Sequence, residues 1–192
     1  MTGKFNHFDF LAPFYEKFIT PKEPEKLVSL AGLTTQSNVL DVGGGTGRVG
    51  QFLRGKARQI VLADQTLKML AEAHKKEHLL SVCSHSEELP FAVSAFDRII
   101  MVDTLHHVND QRKTAHELWR VLKPGGRIVI EEPDIRTFAV KLIALAEKVL
   151  LMRSHFLHAG KISALFAFTG AESQIHAEEH TVWVIVEKAA GR

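Results

Sequence analysis

Residues Val39 to Gly47 read VLDVGGGTG, an aliphatic run that breaks into an acid and then into four glycines within five positions. Their chemistry is that of a ligand loop. Glycine tolerates positive φ and lets the backbone approach a bound molecule with no Cβ in the way, and a helix opening after it aims free N–H groups at whatever sits above. Such a helix is expected over 47–54. Two patterns fit the spacing: Gly45-Thr46-Gly47-Arg48-Val49-Gly50 satisfies the dinucleotide fingerprint GxGxxG, while Asp41-x-Gly43-x-Gly45-x-Gly47 sets an acid two residues before three alternating glycines. Asp64 closes a second apolar run, and His106 and His107 follow a third. An imidazole there can take a proton near neutral pH, although one of two adjacent histidines often packs or caps the next helix.

These residues need elements that bring them to one edge. Strands are expected over 38–42, 58–63, 79–83, 96–102 and 126–132, with helices over 66–76 and 111–122 between them. Alternation of this kind makes a parallel sheet through right-handed crossovers, with ligands at the carboxyl ends of its strands. In the 111–122 helix, Ala115, Leu118, Trp119 and Leu122 make the buried stripe, and Lys123-Pro124-Gly125-Gly126 stops it. Two helices broken near Pro21 and Pro24 give residues 1–33 the look of an N-terminal cap. Residues 136–168 read as a helical insert, too apolar to stay uncovered. Glu172–Glu179 and Val182–Val186 form an antiparallel hairpin at the sheet edge.

Composition bounds the partners. With 192 residues, 45% hydrophobic and 24% charged, the chain suits one domain spanning 1–192. Its +2 charge comes from 24 basic and 22 acidic residues without a basic run, which speaks against nucleic acid. The lone Cys83 excludes an internal disulfide and points to a reducing cytoplasm. The stretch from Phe138 to Met152 is broken by Lys141, Glu147 and Lys148, so no membrane span is expected. His155-x-x-His158 and His176 to His180 lack a third ligand at a recognisable spacing, and no metal is expected.

Further markers follow the glycine loop in a fixed order. Leu62-Ala63-Asp64 leads to a Met69-Leu70 helix; Glu87-Glu88-Leu89-Pro90-Phe91 makes a turn; Ala95-Phe96-Asp97 opens the next strand; and Arg120-Val121-Leu122-Lys123-Pro124-Gly125-Gly126 precedes the one after. The series resembles the Rossmann-like S-adenosylmethionine (SAM) methyltransferases, nearest the ubiquinone and menaquinone C-methyltransferase group. Phe8-Asp9-Phe10-Leu11-Ala12-Pro13-Phe14-Tyr15 is similar to that group's opening. The resemblance implies an α/β fold, a doubly wound seven-stranded sheet of order 3-2-1-4-5-7-6 with strand 7 antiparallel and helices on both faces. It also implies SAM as methyl donor and S-adenosylhomocysteine as product, while the apolar insert at 136–168 argues for a small, apolar acceptor.

Site roles follow from that resemblance. Gly43, Gly44, Gly45 and Gly47 cradle the methionine end, with Asp41 beneath them favouring its ammonium and sulfonium. Asp64 accepts the ribose hydroxyls, and Gln65 and Asp103 join the cofactor set. His85 stands where the family places an aspartate that accepts from the adenine amino group, Ser86 offers its N–H to the ring, and Tyr15 folds over as a lid. His106 and His107 are the candidates for proton transfer, though methyl transfer from a sulfonium can proceed by alignment alone. The 136–168 insert fits an acceptor wall and fits a homodimer interface equally well. An NAD-dependent oxidoreductase and a SAM-binding protein without catalysis are the rival readings.

Overall fold

The computed structural model describes residues 24–137, 140–141 and 154–191. Helix α1 (Pro24–Ala31) leads into strand β1 (Asn38–Val42), after which β2 (Gln59–Asp64), helix α2 (Leu67–Ala73), β3 (Leu79–Cys83) and β4 (Phe96–Val102) follow. Helix α3 (Gln111–Val121) then feeds β5 (Leu122–Pro133), and after helix α4 (Ala159–Ala164) the chain closes with β6 (Ala171–Glu178) and β7 (Thr181–Lys188). The seven strands form one sheet in the order β3-β2-β1-β4-β5-β7-β6. Strands β1 to β5 run parallel, and β7 lies antiparallel to both β5 and β6.

The strands are apolar on both faces because both are covered. Leu40, Ile99, Ile128 and Val184 point into one cluster with Leu118, Val121 and Phe166, while Val39, Ile100, Val129 and Trp183 point into the other with Leu27 and Leu53. Successive residues of one strand thus alternate between two cores. Helix α3 starts where the Asp110 carboxylate accepts from the Lys113 N–H at 2.9 Å, a side-chain cap. It lays Ala115 and Leu118 into the first cluster, and Trp119 stays half-buried, stacked on Phe168.

Two expectations change. The helix expected over 47–54 is a single 3-10 turn, η1 (Gly50–Leu53), preceded by turns. Gly47 adopts φ +76°, which breaks regular helix, and a Cβ at Gly50 would lie 3.2 Å from Leu79 Cδ2, so this stretch serves close packing on β3. Strand β5 begins at Leu122 instead of 126, because Leu122 pairs with Phe96 before an irregularity in the register. Within the apolar insert, residues 159–166 put Ala159, Ile162 and Phe166 into the core on one face of the sheet. The expected cap residues 1–23, Tyr15 included, lie outside the described residues.

Candidate functional site

Strand order reverses between β1 and β4, and their carboxyl ends diverge there into a crevice. A cleft of about 910 Å3, open mouth included, occupies it, within the range usual for small-molecule sites. Its floor is the glycine loop. The Gly43 N–H donates to Ala63 O at 2.7 Å, tying the loop to β2, and its φ is +71°. A Cβ at Gly43 would fall 2.1 Å from Thr104 Cγ2, and one at Gly44 would fall 2.9 Å from the Asp41 carboxylate. Only glycine fits between these side chains and the cleft.

Two acids meet under and beside this loop. Asp64, at the end of β2, takes the Gly45 N–H on Oδ2 at 3.0 Å and the Thr66 N–H on Oδ1 at 2.7 Å, which fixes its carboxylate in the cleft wall. Burial raises its pKa while those two N–H groups pull it back. Asp41 is 1% exposed, and its Oδ2 has no hydrogen-bond partner among the described residues. Desolvation raises the Asp41 carboxyl to about 7, with Arg48 opposing and Asp64 adding to the rise. A buried carboxylate without a partner is unfavourable unless positive charge arrives nearby.

Arg48 supplies part of that charge. Its side chain is 8% exposed, lines the cleft and donates from Nη2 to Asp103 Oδ2 at 2.9 Å, while Asp103 itself sits at φ +49°. Sequence reading did not single Arg48 out; its position directly after the last glycine of the loop is the signal that would have found it.

The other expected residues divide. Gln65, Ser86 and His107 line the cleft along with Asp103, and the Ser86 hydroxyl shares a hydrogen bond with Thr114 Oγ1 at 3.0 Å. His85 is exposed and stands outside the lining, which at that point is made by its neighbours Ser84 and Ser86. The adenine contact expected of the imidazole is therefore not prepared, because the chain after β3 turns this side chain outward. His106 is 4% exposed and also absent from the lining; its Nδ1 meets Glu132 Oε2 at 2.5 Å behind the wall. That placement removes it as a proton carrier in contact with a ligand. His107 remains at the wall, but burial and the neighbouring His106 lower its pKa to about 3, which makes it a weak base.

The cleft suits a nucleoside bearing a cationic amino-acid tail. Asp64 offers carboxylate lone pairs at the wall, the glycine loop removes every Cβ from the floor, and the unpaired buried oxygen of Asp41 lies where a positive group would relieve it. Among the described residues no cluster of three metal-ligating side chains occurs, and no helix is long and apolar enough to cross a membrane.

Comparison with known proteins agrees with this geometry. Residues 40–130 match the family described as "Methyltransferase domain". A ubiquinone/menaquinone biosynthesis C-methyltransferase of Haemophilus ducreyi is 36% identical over 115 residues, which cover 55% of this chain and 44% of the relative. The matched segment thus spans about half the length of the curated relatives. In the fold, a SAM-dependent methyltransferase of Mesorhizobium loti superposes with a TM-score of 0.75 at 15% identity, covering 88% of this chain and 98% of its own. The [4+2]-cyclase SpnF superposes at 0.71 with 16% identity, over 88% of this chain and 81% of its own. The sheet order and the matched segment together give residues 40–130 the fold and the sequence pattern of a methyltransferase domain.

Proposed function

We propose that the chain transfers a methyl group from SAM to a small, apolar molecule. The observation that carries this reading is the buried Asp41 oxygen, without a hydrogen-bond partner among the described residues, beneath a loop whose Gly43 and Gly44 leave no room for a Cβ, with Asp64 fixed beside it. A fold shared with a cyclase does not by itself name a reaction, so the argument rests on the site. When bound, SAM supplies an electrophilic methyl group on a positively charged sulfur.

The protein's own residues then have defined tasks. Asp64 holds the ribose hydroxyls, the 43–47 loop receives the amino-acid end, and Asp41 stabilises its positive charge through the floor. Arg48 and Asp103 keep the wall after β4 in place. His107 is uncharged near neutral pH and acts by hydrogen bonding, so alignment of the nucleophile carries the rate. The apolar character of the acceptor is argued from the composition of segment 136–168, and the same composition would suit a homodimer interface instead. Sedimentation velocity distinguishes these uses.

Isothermal titration with S-adenosylhomocysteine and with NAD tests the cofactor. Saturable binding of S-adenosylhomocysteine with NAD at least about ten-fold weaker is expected. Tighter binding of NAD would replace the reading by the oxidoreductase. Methyl transfer from labelled SAM across a panel of apolar ring and chain compounds tests the reaction, and binding with no transfer to any of them would favour a SAM-binding protein without catalysis.

A further inference from the structure

Beside the cleft, outside every role assigned above, lies a buried ionisable pair. Glu132 near the end of β5 and His106 in the 3-10 turn η2 (Leu105–His107) are each 4% exposed in their side chains, and Glu132 Oε2 meets His106 Nδ1 at 2.5 Å. Glu132 Oε1 accepts two further N–H groups, from Thr104 at 3.0 Å and Leu105 at 2.7 Å. One carboxylate thereby holds three consecutive residues of the segment that ends at His107.

We propose that Glu132 and His106 are positioning residues, fixing η2 so that His107 stands in the cleft wall as the imidazole that hydrogen-bonds a polar group of the acceptor and orients it. This assignment rests on the methyltransferase reading of the cleft. The turn is clamped from its other side as well. His106 O accepts the His155 N–H at 2.6 Å, and Gln111 Nε2 donates to Leu105 O at 2.9 Å and His155 O at 2.8 Å. Ser154 Oγ lies 3.3 Å from His107 Nδ1, and the Phe156 ring stacks on His106 with centroids 4.3 Å apart and planes 13° from parallel. Residues 154–156 thus bind both histidines through backbone, hydroxyl and ring.

The His106 ring at Oε2 and the two backbone N–H groups at Oε1 together answer the buried Glu132 carboxylate, the condition under which such burial is tolerated. The His106 and His107 rings are 4.0 Å apart, so charge on the first disfavours charge on the second. Among the described residues, the groups near His107 include His106 on its own turn, Glu132 from β5, Ser154 and His155 from the clamping strip, and Asp103 and Glu87 in the same cleft lining. Burial first, and then the neighbouring His106, lower the His107 pKa to about 3. Neutral imidazole has one donor and one acceptor nitrogen, which suits orientation of a hydroxyl, amine or carbonyl and not general-base catalysis.

Histidine-labelled protein in complex with S-adenosylhomocysteine tests this by NMR. Between about pH 5 and 8, His106 should show a far-downfield Nδ1 proton shared with Glu132, while His107 stays neutral. Glu132→Gln keeps an oxygen for Thr104 and Leu105 but replaces the carboxylate that faces the ring. It should abolish the downfield signal and leave affinity for S-adenosylhomocysteine within about two-fold. Should that variant not fold, His106→Gln removes the ring and should abolish the signal likewise. For an acceptor found in the panel, either variant should lower kcat/KM at least about ten-fold with cofactor affinity unchanged. Absence of the downfield proton in the wild type, or a kcat/KM that neither variant lowers, overturns the proposal. Failure of the wild type to bind S-adenosylhomocysteine overturns the methyltransferase reading instead.

Discussion

Asp41 decides how this site responds to pH. Its folded carboxyl titrates at about 7 against 3.8 for the ordinary group, so between these values the folded chain holds a proton that the unfolded chain has lost. Stability from this group is full below the lower value and disappears as pH rises through 7, a change of about 4 kcal/mol. Urea denaturation at pH 5 and pH 8 should therefore show a larger loss in the wild type than in Asp41→Asn. Ligand binding runs the other way. A cationic ligand favours the ionised acid, so affinity for SAM should rise between about pH 6 and 8 with release of a proton, and Asp41→Asn should flatten that rise. At Asp64, replacement by Ala should weaken S-adenosylhomocysteine by about 1.5 to 3 kcal/mol, as for a hydrogen bond to a charged group. The Gly45 and Thr66 N–H groups lose their acceptor in the same variant, so its melting temperature falls too. His85→Ala should leave affinity within about two-fold, since its ring faces solvent; a larger loss would return it to the adenine site.

The segment after β1 shows an element shaped by its neighbours. A regular helix was the natural expectation after a glycine loop, yet Gly47 at φ +76° and the approach of Gly50 to β3 leave only a 3-10 turn. What presents the cleft floor is the bent loop itself, held by the Gly43 N–H donating to Ala63 O at 2.7 Å. Gly43→Ala should therefore abolish detectable cofactor binding and cost about 1 to 3 kcal/mol of stability, because the new Cβ meets Thr104 and the left-handed φ is strained for alanine. Normal affinity in that variant, measured by titration, would show that the loop moves freely and that the close approach is unimportant.

The sheet as a whole is completed from its far end. Strand β7 inserts between β5 and β6, and Trp183 upon it is fully buried, donates from Nε1 to Glu131 Oε2 at 2.9 Å and lies beneath the Lys26 ammonium. The last strand thereby pins α1 and β5 together behind the cleft. Trp183→Ala should cost about 3 to 5 kcal/mol in chemical denaturation, for the cavity and for the lost hydrogen bond to Glu131. At temperatures where the variant remains folded, S-adenosylhomocysteine should still bind, because the cleft lining contains no residue of β7.

Local pattern sufficed where chemistry and geometry are local. The acid and alternating glycines placed the ligand loop after β1, and apolar runs located strands β1 and β4 to the residue, since a strand buried on both faces writes continuous hydrophobicity into its sequence. The 3-2-1-4-5-7-6 order came from the resemblance of linked motifs, which no periodicity conveys. Tertiary contact decided the remainder. Whether His85 or Ser84 faces the cleft depends on one residue of phase in an extended segment, and whether His106 or His107 is buried depends on Glu132, 26 positions away. Arg48 and Asp103 are 55 positions apart and meet only because β1 and β4 are neighbours in the sheet. Residue types fix which groups can bind or ionise, but their orientation, desolvation and partners arise from strands that are distant in the chain and adjacent in space.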